Sequence, residues 1–231
     1  MQYSDLLGLY EKWKGKYGKD TYHHISAILA EAKKLHHNDW EKKPTLHNDH
    51  EQSWRAFKGK NLEKLITHIL KEEVEDLGLM MVQGNKLEKT DPSHLSYTHS
   101  MVRRHLLIKF GSEFGDHMPD VDIVIYNPET FKVIAVISSK VTLRERIAQT
   151  GYWKIKLSQD KVTKNIKVFF ITPDEDGTLT MQYPMKKGRA IVEVDTDGAY
   201  VMTDKEIEPS KKVKGFDQFI TDLQQLLLNA L

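Results

Sequence analysis

The 231-residue chain contains no cysteine. Disulfides and thiolate metal sites are therefore excluded, and a cytoplasmic setting is expected. No apolar run is long enough to span a bilayer, so no membrane association is expected. The opening MQYSDLLGLYEKWKGK lacks the apolar core of a signal peptide. An excess of one charge sign is also missing, since 34 Lys and Arg against 33 Asp and Glu leave a net charge of +1. A surface that faces nucleic acid would have to come from local clustering. Clusters of that kind occur at Arg103-Arg104, at Arg144 and Arg146, at Lys154/Lys156/Lys161/Lys164, at Lys186-Lys187-Arg189 and at Lys211-Lys212-Lys214.

What is present is ordinary for a globular chain: 39% hydrophobic and 29% charged residues, with no internal repeat. The length suits one core with an extension. Residues 3–17 and 22–36 read as two amphipathic helices, and 37–50 as a loop. His23-His24, His36-His37, His47 and His50 have no metal-ligand spacing and read as solvated or loop histidines. The clearest helix spans 61–77, with Asn61 placed to cap it and Gly78 to end it. Its apolar arc runs through Leu62, Ile66, Leu70 and Val74, and Glu63 falls within that arc. A carboxylate on a buried face needs a partner. The plainer account of Glu63 is an acid favouring the helix N-terminus. Residues 79–100 read as irregular, and 101–110 as a strand or short helix. Further on, 164–172 reads as a buried strand, and 178–183 and 190–203 as peripheral strands. Residues 216–228 read as a closing helix that packs on the core or pairs with a second subunit.

The organising stretch is 116–149, DHMPDVDIVIYNPETFKVIAVISSKVTLRERIAQ. A turn leads into a strand at 121–126, and Asn127-Pro128-Glu129-Thr130 is turn chemistry. A nearly continuous apolar strand follows at 131–139, then Lys140 and a helix from about Leu143. Alternation along a strand puts Asp120 and Asp122 on one face, and Ser138 and Lys140 on one face of the next. A hairpin would bring acids and a lysine together at one end of a sheet. Carboxylates there suit Mg²⁺, and the lysine suits an attacking water or a charged phosphate. Taken singly, these residues read as a solvated turn and a strand-end charge; flanking so apolar a strand together, they read as a site. Thr142 and Glu145 also form a capping-box pattern. Arg144, Glu145 and Arg146, with Gln149 one turn on, are suited to reading G·C pairs from a helix N-terminus.

Pro119-Asp120-Val121-Asp122, the apolar strand and Ser138-Ser139-Lys140 together resemble the PD-(D/E)xK nuclease signature. With Arg144-Glu145-Arg146, the stretch is similar to the type II restriction endonucleases that read CCGG, CCNGG or CCWGG sites and carry Ser-x-Lys followed by Arg-(Asp/Glu)-Arg. Ser138 stands where other members of the superfamily carry an acid, and Trp153 stands where this subgroup carries a relocated glutamate.

The resemblance implies an α/β fold: a restriction-endonuclease-like core with a mixed central sheet flanked by helices, over 56–231, preceded by an N-terminal helical extension over 1–55. It implies Mg²⁺-dependent hydrolysis of double-stranded DNA at a palindromic, G·C-containing site by a homodimer. Asp122 is the main metal ligand expected and Asp120 the second. Glu63 fits the acid that such cores bring from their first helix. Glu73, roughly 15 Å further along that helix, is its rival. Lys140 and Ser138 complete the catalytic set. A repair or junction-resolving nuclease with the same core, and a DNA-binding module without catalysis, remain as alternatives.

Overall fold

The computed structural model describes residues 1–42, 49–141 and 144–228; the side chains of Arg144 and Glu145 lie outside the description. The N-terminal helices are α1 (Tyr3–Tyr17) and α2 (Ile25–Lys42), joined by a 3-10 turn over Gly18–His24. The expected loop at 37–50 is helical as far as Lys42, because His36 is buried and continues the apolar stripe of Ile25, Ile28, Leu29 and Ala32. The long helix α3 (His50–Asp76) starts before the expected Asn61. Asp49 caps it, its side chain accepting from the Glu51 N–H, while Asn61 sits mid-helix and donates to the Phe57 carbonyl. Gly78, at φ 72°, ends the helix in the left-handed region that glycine adopts without strain. One continuous helix thus crosses residue 55.

Next come β1 (Met80–Gln83), α4 (Gly84–Lys89), α5 (Tyr97–Arg104), β2 (Ile108–Lys109) and β3 (Asp116–His117). The stretch 79–100 is therefore ordered and supplies an edge strand. The hairpin follows as β4 (Ile123–Tyr126) and β5 (Val133–Ser139), then α6 (Arg144–Ser158) and β6 (Lys167–Thr172). The chain closes with α7 (Lys187–Asp195), β7 (Gly198–Val201), β8 (Val213–Gly215) and α8 (Phe219–Leu228). Two expected strands are corrected here. Residues 178–183 are irregular, and most of 190–197 is the helix α7, packed against α6.

Six strands form one mixed sheet in the order β1-β4-β5-β6-β7-β8. The pairs β1–β4 and β4–β5 are antiparallel, and β5–β6, β6–β7 and β7–β8 are parallel. β2 and β3 form a separate two-stranded ribbon. β5 is thus the strand where the antiparallel and parallel halves meet. Alternation divides the core. Ile123, Ile125, Ala135 and Ile137 face α1–α3 and α8, whereas Val124, Tyr126 and Val136 face α4, α5 and the far end of α6. Full burial of such side chains contributes about 1.5–3 kcal/mol each. This two-sided burial explains the unbroken apolar run of β5. α8 packs Phe219 and Leu223 into the larger cluster. Among the described residues, no helix is long and apolar enough to cross a membrane.

Candidate active site

The register Ile123↔Ile137 sets Asp122 beside Ser138 where β4 begins and β5 ends. The ladder extends to Asp122, whose N–H donates to the Ile137 carbonyl at 3.0 Å. Asp122 is buried at 5% exposure, and its carboxylate accepts from the Ser139 N–H at 2.7 Å through Oδ2. Lys140 Nζ lies 3.9 Å from Oδ1 of the same carboxylate. Asp122 and Lys140 are therefore brought together as the hairpin requires.

Glu63 arrives from the other side of the sheet, on α3. It is buried among Leu62, Leu65 and Ile66, as its place in the apolar arc indicates. Burial pushes its carboxyl pKa up, and the nearby Asp122 charge pushes the same way; Lys140, Lys64 and Lys89 oppose them. Among the described residues, no hydrogen bond or ion pair reaches the Glu63 carboxylate. Glu73, its rival, lies instead where its charge acts on Tyr10.

Asp120 is placed differently from Asp122. Both its oxygens accept from Arg146, at 2.6 and 2.9 Å, and Oδ2 also accepts from the Gln149 amide at 2.9 Å. Arg146 further donates to Asp122 Oδ1 at 3.3 Å and to Gln149 Oε1 at 3.1 Å. Ser138 is 1% exposed, and its hydroxyl accepts from Thr150 on α6 at 3.1 Å. Trp153 packs at the edge of a core cluster, while Tyr152 is 43% exposed. The expected capping box at Thr142, and the side chains of Arg144 and Glu145, lie outside the described residues.

Asp122 and Glu63 suit a divalent cation. Two neighbouring buried carboxylates, one with no hydrogen-bond or ion-pair partner among the described residues, are costly unless further positive charge joins them. Mg²⁺ is commonly held by one or two carboxylates together with waters and substrate phosphate. Among the described residues, no group of three or more acids or histidines is gathered closely enough to hold a metal ion. The pair would be the protein's share of the ligands.

Several supporting residues were not legible in the sequence. A Cβ at Gly84 would lie 1.9 Å from the Val121 carbonyl oxygen, so only glycine lets α4 press on the backbone beside Asp122. The Gly84 N–H donates to the Asp122 carbonyl at 2.9 Å. Lys58 of α3 pairs with Glu175 at 3.0 Å, and the Glu175 N–H donates to the Val141 carbonyl. The loop after β6 is thereby tied to the end of β5. Several cationic clusters serve inside the fold. Arg189 is wholly buried and donates to the Leu179 and Glu208 carbonyls, Lys154 pairs with Asp197, and Lys214 with Asp222.

The sequence profile of the family described as BsaWI restriction endonuclease type 2 matches residues 98–222. The chain is also 34% identical over 185 residues to MjaVIP of Methanocaldococcus jannaschii, a protein named as a type II restriction enzyme; the match covers 78% of this chain and 79% of that protein. The chain belongs to the BsaWI family of type II restriction endonucleases. HpyAORF263P of Helicobacter pylori, also named as a type II restriction enzyme, is 34% identical over 131 residues, covering 57% of this chain and 65% of its own. The fold is that of restriction endonucleases. The structure of AgeI, solved with DNA, superposes with a TM-score of 0.56 at 15% identity, covering 95% of this chain and 91% of AgeI. PspGI, solved with substrate DNA, gives 0.53 at 14% identity, covering 97% and 93%. The mixed sheet with its N-terminal helical extension agrees with the fold expected from the sequence. The protein is a site-specific deoxyribonuclease of the type II class.

Proposed function

We propose that this restriction endonuclease hydrolyses double-stranded DNA in a Mg²⁺-dependent reaction at a palindromic, G·C-containing site, with Asp122, Glu63 and Lys140 as its catalytic centre. The observation that carries the reading is the convergence of Lys140 and two buried carboxylates at the junction of the antiparallel and parallel halves of the sheet. In open α/β sheets such a place, at the carboxyl end of a strand, is where ligands bind.

Asp122 and Glu63 would hold the cation, and Asp120 serves through Arg146. The cation, when bound, supplies positive charge to the scissile phosphate and lowers the pKa of a bound water. Lys140 offsets negative charge that develops on the phosphate and orients the attacking water. The Ser139 N–H fixes the Asp122 carboxylate in position. Ser138 takes the place of the usual acid and fastens β5 to α6 through Thr150. Arg144, Glu145 and Arg146, with Gln149, are the base-reading set, and the chemistry of arginine forks and a carboxylate suits guanine and cytosine edges. Two copies related by a two-fold axis would read the palindrome. Within each copy, residues 1–55 form the helical extension and 56–231 the nuclease core.

Digestion of phage or plasmid DNA, with sequencing of the ends, tests the reading. Discrete fragments that appear only with a divalent cation, with G·C pairs at the mapped site, support it. Random degradation, or fragments formed equally in EDTA, would overturn it.

A further inference from the structure

We infer that Arg146 is the resident counter-cation of Asp122, held there by Asp120 and Gln149, and that it competes with a divalent cation for Asp122 Oδ1. The inference rests on the reading of Asp122 as a cation ligand.

The geometry is specific. Each terminal nitrogen of the guanidinium makes two hydrogen bonds. One donates to Asp120 Oδ2 at 2.6 Å and to Gln149 Oε1 at 3.1 Å. The other donates to Asp120 Oδ1 at 2.9 Å and to Asp122 Oδ1 at 3.3 Å. The four terminal N–H groups are thereby spent, which leaves only Nε–H, and that atom is buried with no partner among the described residues. The Arg146 side chain is 16% exposed and that of Asp122 is 6% exposed. In this arrangement Arg146 has nothing left to offer a base edge or a phosphate.

Asp120 is the pivot. It holds Arg146 through a fork-to-fork pair, the strong geometry for guanidinium and carboxylate, and it takes a further bond from Gln149. The three side chains come from the two elements that matter most: Asp120 and Asp122 lie at the entry to β4, and Arg146 and Gln149 lie in the first turns of α6. A DNA duplex approaching the start of α6 offers the guanidinium guanine edges and phosphate oxygens. Any such contact must break one of its present bonds, and the longest, to Asp122 at 3.3 Å, is the cheapest to lose. Losing it uncovers Oδ1 and leaves the buried acids with less positive charge, so the cation binds more readily. Base reading and cation binding are then linked through one side chain. Asp120 and Gln149 are positioning residues, because they act through Arg146.

The test is Mn²⁺ binding to the DNA-free protein, followed by electron paramagnetic resonance of the free ion. It compares wild type, Arg146→Gln, Asp120→Asn and Asp122→Asn/Arg146→Gln. Arg146→Gln should bind Mn²⁺ about tenfold more tightly than wild type, the effect of one competing ion pair of ~1.4 kcal/mol. Asp120→Asn, which keeps the arginine and loosens its anchor, should fall between the two. The double variant should lose the gain. Because Asp120→Asn leaves Arg146 in place, it carries the test if Arg146→Gln folds poorly. Wild type binding as tightly as both single variants, through a site that needs Asp122, would overturn the competition alone. Binding that never depends on Asp122 would overturn the cation reading and the inference with it.

Discussion

Lys140 Nζ lies 3.9 Å from Oδ1 of Asp122, and that carboxylate is nearly closed off from solvent. The lysine itself is about one-third exposed at the rim, so it faces both the buried acid and whatever binds above it. In the proposed reaction, removing the amine takes away the charge that would offset the phosphate, and Lys140 is not part of a core cluster. Lys140→Ala is expected to lower the cleavage rate by about 10²–10³-fold, the scale of losing one positioned electrostatic group. Duplex binding, measured by gel shift in Ca²⁺, should fall far less. Equal loss of binding and cleavage would point to a phosphate-contact role instead.

Gly84 sets the height of the strand entry that carries Asp122. Gly84→Ala would drive a methyl group into the Val121 carbonyl, which is backbone and gives way only with β4 itself. The expected cost is roughly 1–3 kcal/mol, as for other overpacked sites. Urea unfolding measures it, and a midpoint unchanged from wild type would contradict the contact.

Thr150 and Ser138 share a hydrogen bond in a wholly buried place between β5 and α6. Thr150→Val keeps the volume and leaves the Ser138 oxygen without its donor. A loss of about 1–3 kcal/mol is expected from the unpaired polar group. Restoring the match with Ser138→Ala in the same chain should recover part of it, which a double-mutant cycle would show.

His36 links the N-terminal extension to α3. Its Nδ1 lies 3.2 Å from Nε2 of His50, and its ring packs against Trp54 and Phe57. Burial, followed by the neighbouring His50, lowers its pKa below the usual 6.5. The unfolded chain therefore binds the proton more readily than the folded one. The neutral ring's contribution is intact above about pH 6.5 and is lost as pH falls through that value toward the lower folded pKa. Asp174, raised to about 6 chiefly by burial, runs in the opposite sense over an overlapping range. Comparison with His36→Gln isolates the histidine. Wild type should lose more thermal stability than the variant on acidification from neutral pH, and an identical loss would exclude His36 as the cause.

Much of the geometry of this candidate site is legible in the sequence. Glu63 stood out because a carboxylate lay in line with Ile66, Leu70 and Val74, and burial on α3 follows from that spacing. Asp122 and Lys140 bracketed two apolar strands joined by turn residues, and a hairpin pairs such ends whatever its neighbours do. The contact from Arg146 to Asp120 and Asp122 had no local signal. It spans 26 and 24 residues and depends on how the start of α6 folds back over the strand entry. β1 leaves no signal in the sequence, because four residues between Leu79 and Gly84 are too few to show an alternation. The expected strand over 190–203 gives way to α7 across Lys187–Asp195. Packing against α6 decides this, burying Val192 and leaving Val194 75% exposed. β-branched residues report a pleated, half-buried surface only when a sheet is there to provide one.

In the proposed mechanism Asp122 and Lys140 act as one catalytic unit with Glu63. Single-turnover cleavage of a duplex carrying the mapped site measures this most directly, with Asp122→Asn, Glu63→Gln and Lys140→Ala each compared with wild type at saturating protein and Mg²⁺. All three variants should lose cleavage by orders of magnitude while binding the same duplex in Ca²⁺, and the losses should not add when the substitutions are combined. Near-wild-type cleavage by Asp122→Asn or Lys140→Ala would contradict it and move the active site elsewhere on the sheet.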